Sequence, residues 1–421
     1  MISLACPGEI RRVADRYKDV AGIPYSYLCQ LLAGMTMGNQ SISESVRTSG
    51  WMNSVSTLTD SAQSFVRDKF MARMRSSILN KHKGMLNRER FCFAVDDTTV
   101  PRSGKLLFGV GNHPRHGKGG VIRAQRVIVL FLIDKKRGIA FPIAFAMCLN
   151  KHCAGYKSCQ DLCFDLVKQV VDFGFPQLVT VVDSGFDSVP LVKKFDASGL
   201  KIVFESKSNR RVKTNPSPCG TKMSWKEALH KQIKVAVRLP KTDHSRHSRK
   251  TKYIAARLVQ INGRSAQLVA AAVYNAPRDA DYFAVYCSND ITLNGGDLWE
   301  YSRARWHVEE AFRTLKQSFS FLAIGWQSEN ATYASICLPF ALLNSFHIEP
   351  EHWGGDLHAP VGRLVRELQS RTTWIAVEKL VSGKRDIRIC RLRARRLSKQ
   401  NCKKPSNPSA EEVKRYFSQA A

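Results

Sequence analysis

Acidic residues are what this chain has too few of: Asp and Glu total 35 against 65 Lys and Arg, leaving a formal charge of +30 over 421 residues. An excess of that size goes beyond what solubility needs and points to a polyanionic partner, most simply nucleic acid. Long apolar runs are also missing. None approaches the roughly 20 residues of a membrane-spanning helix, and no charged-then-apolar signal segment opens the chain, so the expectation is a soluble, cytoplasmic protein with no membrane partner. The 12 cysteines contain no CxxC pair and sit singly in apolar stretches, as Cys92 and Cys287 do, which suits reduced structural thiols. One cluster, Cys148, His152, Cys153, Cys159 and Cys163, spans a strand, a loop and a helix with spacing unsuited to zinc. The glycine-rich segment from Gly104 to Gly120 lacks a closing Gly-Lys-Ser/Thr and a following helical period, which excludes a phosphate-binding P-loop and leaves a flexible basic loop lying along DNA. There is no internal repeat.

A hydrophobic content of 44% suffices for one large or two to three ordinary domains. Residues 1–85 read as helical, with Ser41, Ser43, Ser56 and Thr57 as candidate caps, and Leu31 to Phe65 leaves room for a helix-turn-helix beside the plainer reading of a helical bundle. From Phe91 the pattern changes to short apolar runs. Strands are expected at Phe91–Val95, Arg126–Ile133 and Ile139–Ala146, then a helix at Asp161–Val171, a strand at Leu178–Val182, a helix at Val189–Phe195 and a strand at Lys201–Phe204. Residues 207–290 interrupt this order as a basic, turn-rich insertion of antiparallel type, in which Tyr253–Gln260 and Gln267–Tyr274 flank an Asn262-Gly263 hairpin signal. The His244 to His247 stretch within it is solvated basic surface. Beyond residue 346 the chain turns basic again, with Lys384, Arg385, Arg388, Arg391, Arg393, Arg395, Arg396 and Lys399 facing one acid, Asp386; this is a solvated face or a DNA-contacting arm.

Three groups of acids stand at structurally informative places. Asp96 and Asp97 follow the first strand, Asp183 follows the fourth, and strand ends along one sheet edge are where α/β folds assemble chemistry. Glu309 lies on a helix whose Val308, Phe312, Leu315 and Phe319 repeat as a core-facing stripe, with Arg305, Glu309, Arg313 and Lys316 as a charged stripe at its edge. If the first and fourth strands are neighbours, one Asp of the first pair meets Asp183, and the helix adds Glu309. Three converging carboxylates call for a compensating divalent cation. Two Mg²⁺ ions (or Mn²⁺) roughly 3.5–4 Å apart would suit phosphodiester chemistry. Each Asp alone also reads as a turn or helix cap.

These residues carry a resemblance to the DDE transposases of bacterial insertion sequences, in the group whose third motif is Tyr-x2-Arg-x3-Glu-x6-Lys. Arg305, Glu309 and Lys316 fall in that register, Val95 to Thr99 resembles the first motif, and Val181 to Asp187 resembles the second. The resemblance spans about residues 90–345 and implies an α/β, ribonuclease H-like core (86–345) with a mainly β insertion (207–290), between an N-terminal helical, possibly DNA-binding domain (1–85) and a basic C-terminal region (346–421). It implies Asp97, Asp183 and Glu309 as catalytic metal ligands, with Asp96 the alternative to Asp97. Arg305 and Lys316 would contact the DNA backbone near the scissile phosphate, with Arg313 on the same stripe. The motif's Tyr position holds Ser302, while Tyr301, the candidate for that DNA contact, lies one position early. The implied activity is metal-dependent cleavage at element ends and transfer of the 3′-hydroxyl into target DNA, by a protein that dimerises on DNA and works at the bacterial nucleoid. The alternatives are a ribonuclease H-like nuclease without strand transfer and a catalytically silent, transposase-derived DNA-binding protein.

Overall fold

The computed structural model describes residues 8–36, 55–104, 106–114, 120–207, 209–213, 223–225, 228, 237–238, 253–261, 268–274, 282–322 and 325–353. Much of the possible helix-turn-helix, the middle of the glycine-rich loop, the hairpin signal at Asn262-Gly263, the His244–His247 stretch and the basic tail lie outside these residues.

Among the described residues, four helices come first: α1 (Gly8–Tyr17), α2 (Tyr25–Met35), α3 (Val55–Gln63) and α4 (Arg67–Lys81). Leu28, Leu31, Leu32 and Met35 of α2 follow the i, i+3, i+4, i+7 spacing and are buried. They join one hydrophobic cluster with Tyr17, Phe65 and Phe70 and with the later core helix, so these helices pack directly on the sheet-bearing part of the chain.

The sheet begins with β1 (Phe91–Pro101), β2 (Val110–Pro114), β3 (Val121–Asp134) and β4 (Ile139–Met147), continues after α5 (Cys159–Asp172) with β5 (Thr180–Val182), and after α6 (Val189–Ala197) with β6 (Ile202–Glu205). The expected order of strands and helices is present, with β2 as an added strand. Pro142 is tolerated in β4 because β4 pairs only with β3, where the register shifts. Described parts of the insertion are β7 (Arg211–Lys213), β8 (Met223–Ser224), β9 (Val237–Arg238), β10 (Tyr253–Ile261), β11 (Leu268–Tyr274) and β12 (Tyr282–Ser288). β10, β11 and β12 pair antiparallel, and β12 returns to pair antiparallel with β6, making the insertion a continuation of the core sheet. The central order is β2-β3-β1-β5-β6-β12-β11-β10.

Strand alternation sorts the side chains into two layers. Phe91, Phe93, Val95, Leu130, Val182 and Phe204 pack on α5 and α6. Cys92, Ala94, Val129, Phe131, Val181 and Val203 face the other way, against α8 (Trp306–Ser318) and α9 (Glu329–Ile348). α7 (Gly295–Ala304) precedes α8 and starts at a capping box between Asn294 and Asp297. Against the expectation that no run is long enough, α9 has 20 residues and the apolar composition of a spanning helix, but 94% of its most apolar window is buried inside the protein. It is the core helix of this layer.

An ion pair on a buried carboxylate fixes the β3–β4 turn. Asp134 is fully buried, accepts from Arg90 Nη2 at 2.8 Å and Nε at 3.1 Å, and takes the backbone N–H groups of Lys136 and Arg137 on its other oxygen. Removing Asp134 takes the acceptor from those two backbone N–H groups, while the part-exposed Arg90 turns to solvent. Asp134→Ala is therefore expected to lower urea-unfolding stability by about 1–3 kcal/mol, whereas Asp165→Ala, which removes the exposed Lys157–Asp165 pair, should leave stability close to wild type.

Candidate active site

The geometry starts from register. β1 and β5 are parallel with Val95 beside Val182, and β5 and β6 are parallel with Val182 beside Phe204. Because these three side chains point into the α5/α6 layer, the next residues, Asp96, Asp183 and Glu205, belong to the opposite face, beneath α7 and α8. The condition set by the sequence is met: the first and fourth expected strands are neighbours.

Arg305 stands at the junction of α7 and α8 and reaches down to this row. One guanidinium nitrogen lies 3.3 Å from Asp96 Oδ2 and another 3.2 Å from Glu309 Oε1, so a single cation bridges strand and helix. Burial and the like charge of Asp183 push the Asp96 carboxyl up to about 7 despite Arg305. Glu205 is half-buried and pushed up by burial, and by Asp183 against the pull of Arg305. Asp183 caps the turn that follows β5, accepting from the Gly185 N–H at 2.9 Å.

Asp97 is placed differently. It faces the α5/α6 side, where Arg126 of β3 grips it with two hydrogen bonds of 2.8 Å. Thr99 pairs with Arg126 in the β1–β3 register, which makes Asp97 and Arg126 diagonal cross-strand neighbours. The structure thus groups Asp96, and not Asp97, with Asp183, Arg305 and Glu309, because successive strand residues cannot share a face.

The α8 stripe divides as expected on its apolar side: Val308, Phe312, Leu315 and Phe319 are buried, and Phe312 packs edge-on against Phe131. Lys316 is half-buried, its ammonium pulled down by burial and supported by Asp96 and Asp97. Arg313 is exposed. Tyr301 lies elsewhere. It is buried near the start of β1, its hydroxyl donating to the Arg88 carbonyl at 3.3 Å and its ring 4.5 Å beneath Lys135. Ser302, at the motif's Tyr position, meets the hydroxyl of Tyr286 from β12. Glu205 and Tyr286 were missed by sequence reasoning because they belong to no motif; the only signal was that Glu205 ends a strand-like run just before the insertion and Tyr286 lies in the last strand-like run within it.

Among the described residues, no three His, Cys, Asp or Glu side chains are already grouped closely enough to hold a metal ion. The His152–Cys163 region is likewise no metal cluster.

Residues 162–345 match the family model of the transposase DDE domain. That match supports a DDE transposase family. Its span contains Asp183, Glu205 and Glu309 and begins after β1, so Asp96 and Asp97 lie outside it. No curated protein matches. Among solved structures, a piggyBac transposase in a synaptic complex with hairpin DNA is similar at 15% identity and a TM-score of 0.40, over 76% of this chain; this chain spans 59% of that one.

The elevated Asp96 carboxyl has a measurable consequence in metal-free protein. A carboxyl whose folded value lies above its unfolded one binds more protons when folded, so stability falls as pH rises from about 4 to about 7. Asp96→Asn removes that loss. With EDTA present, the variant should be as stable as wild type near pH 4 and more stable above pH 7; a constant difference across the range would refute the environment assigned to Asp96.

Proposed function

We propose that this chain is a DNA transposase that cleaves DNA at the ends of its element and joins the freed 3′-hydroxyl to target DNA. The observation that carries the reading is the convergence of Asp96 and Asp183 on adjacent parallel strand ends beneath the helix of Glu309, in a chain of charge +30 whose residues 162–345 match the transposase DDE domain. Asp96, Asp183 and Glu309 would hold the divalent metal, Mg²⁺ or Mn²⁺, as two ions. The donor set fits such an ion: all donors are hard carboxylate oxygens, and Asp96, its carboxyl pushed up by burial and by the like charge of Asp183, gains a countercharge when a dication binds. When bound, the metal would lower the pKa of an attacking water or hydroxyl and offset charge on the leaving oxygen.

The chain's own residues supply the rest. Arg305 is the countercharge of Asp96 and Glu309 in free protein; in the complex it turns to a DNA phosphate near the scissile bond. Lys316, half-buried on the same side, fixes the phosphate's position, and its partial desolvation strengthens that contact. Asp97 and Arg126 hold β1 in register and keep Asp96 on the metal face. The basic insertion and tail supply sequence-independent grip on element ends and target, and the active form is a homodimer assembled on paired ends at the nucleoid.

Asp96→Ala, Asp183→Ala and Glu309→Ala are each expected to abolish Mg²⁺-dependent cleavage of a substrate carrying the element ends, while filter binding stays close to wild type. Asp97→Ala should keep measurable cleavage; a dead Asp97 variant beside an active Asp96 variant would reverse the assignment. Products cut but never joined would leave a ribonuclease H-like nuclease as the function, and binding with no cleavage by wild type would leave a DNA-binding protein.

At saturating DNA in single-turnover assays, Lys316→Ala should slow cleavage by roughly tenfold or more, since a displaced phosphate loses in-line geometry. The exposed Arg313→Ala should be milder there and instead reduce the slope of log affinity against log salt by about 0.9 if it contacts one phosphate. Equal rates for both variants at saturation would reduce the stripe to generic basic surface.

A further inference from the structure

On the α5/α6 side of the sheet, two thiols meet. Cys148 follows β4 and is buried, its backbone N–H bonded to the Arg126 carbonyl at 2.9 Å. Cys159 is the first residue of α5, after the capping Ser158, and is partly exposed. Their sulfurs lie 3.9 Å apart, although ten residues of connecting loop separate them in sequence. We propose that Cys159 and Cys148 form an oxidant-reactive dithiol, a modification site for hydroperoxides in which Cys159 is the nucleophile and Cys148 the resolving thiol.

Three features divide the roles. Cys159 has solvent access, which a peroxide needs, and Cys148 does not. The Cys159 sulfur sits at a helix N-terminus, where unpaired N–H groups favour an anion. A hydrogen bond joins the two thiols and Arg126 lies near both sulfurs, so the Cys159 thiol is drawn down to about 7 while that of Cys148 is pushed up. This is the electropositive, partly exposed setting of reactive cysteines; Cys163, one turn along α5, is fully buried and its thiol is pushed up to lie outside the reactive range.

The chemistry balances. The Cys159 thiolate attacks one peroxide oxygen and breaks the O–O bond, giving a sulfenic acid, and the expelled hydroxide takes a proton to become water. Cys148 then attacks the sulfenyl sulfur; its proton leaves with the departing hydroxide as a second water, and an S–S bond forms. Two thiols are oxidised, and one hydroperoxide is reduced. The site does not depend on the transposase reading; Arg126, which also grips Asp97, lies on the same α5/α6 side of the sheet.

The test is peptide mapping of full-length protein exposed to hydrogen peroxide and then alkylated. Trypsin cuts at Lys151 and Lys157, which places the two cysteines on separate peptides. The expected result is a disulfide joining them, with fragmentation assigning it to Cys159 rather than Cys163, and loss of the link on adding dithiothreitol. In Cys148→Ser the link should disappear and a dimedone adduct should accumulate on Cys159; in Cys159→Ser, Cys148 should stay reduced. Wild-type protein that forms no such link, or that joins Cys159 to the exposed Cys153, would overturn the proposal without reference to either variant.

Discussion

Negative charge crowded at one place in a strongly basic chain is the constraint on which the rest of the site depends. Asp96, Asp183 and Glu205 follow residues that are direct neighbours in a three-strand register, so the fold itself brings them side by side. Burial, with the charge of Asp183 added to it, pushes both Asp96 and Glu205 toward the protonated form. Parallel strands cannot relieve this by sliding, because a shift of one residue would turn Val95, Val182 and Phe204 out of the α5/α6 core. Relief has to come from a cation placed above the row, and in the free protein that cation is Arg305.

Two arginines serve the adjacent aspartates of β1 in different ways. Arg126 comes from a neighbouring strand and meets Asp97 through paired 2.8 Å hydrogen bonds, a bidentate geometry that is both strong and directionally fixed. Arg305 comes from a helix junction and divides itself between Asp96 at 3.3 Å and Glu309 at 3.2 Å, one nitrogen to each. The first arrangement suits a permanent part of the sheet. The second suits a countercharge that can be exchanged, since each contact is long and single, and a phosphate or dication would compete for the same partners.

Most of the fold was legible because its determinants are local. Phe91–Val95, Arg126–Ile133 and Ile139–Ala146 announced strands through continuous β-branched and aromatic runs, and Asp161–Val171 announced a helix through its period. The acids at strand ends were legible for the same reason. What could not be read was whatever depends on side-chain direction or on distant pairing. The choice between Asp96 and Asp97 turns on which face of β1 meets α8, and two adjacent Thr residues carry no information about that. β2 is a five-residue strand, Val110–Pro114, inside a glycine-rich loop and is held by pairing with β3 rather than by its own propensity. Tyr301 looked like part of the charged helix because numbering alone places it four residues before Arg305, whereas its side chain turns toward the start of β1. α9 escaped notice as a long apolar element because Glu329, Asn330, Ser335, Asn344 and Ser345 interrupt it in sequence while the last three are buried in space.

The insertion also has a positional role beyond its charge. β12 brings the chain back beside β6, and at its end Asn289 accepts the Ile202 N–H at 2.8 Å while donating to Asp196 and to the Leu200 carbonyl. Those three bonds tie the exit of the insertion to the strand that carries Glu205 and to the end of α6. From that fixed point only a short turn and the Asn294-capped helix α7 separate the sheet from Arg305. The placement of Glu309 relative to the acid row therefore runs through β12, the last strand of the insertion, and α7, the helix that follows it. An insertion that joined the core through flexible linkers would leave α8 free to drift; one woven into the same sheet holds Glu309 over the strand ends as firmly as the strands hold one another.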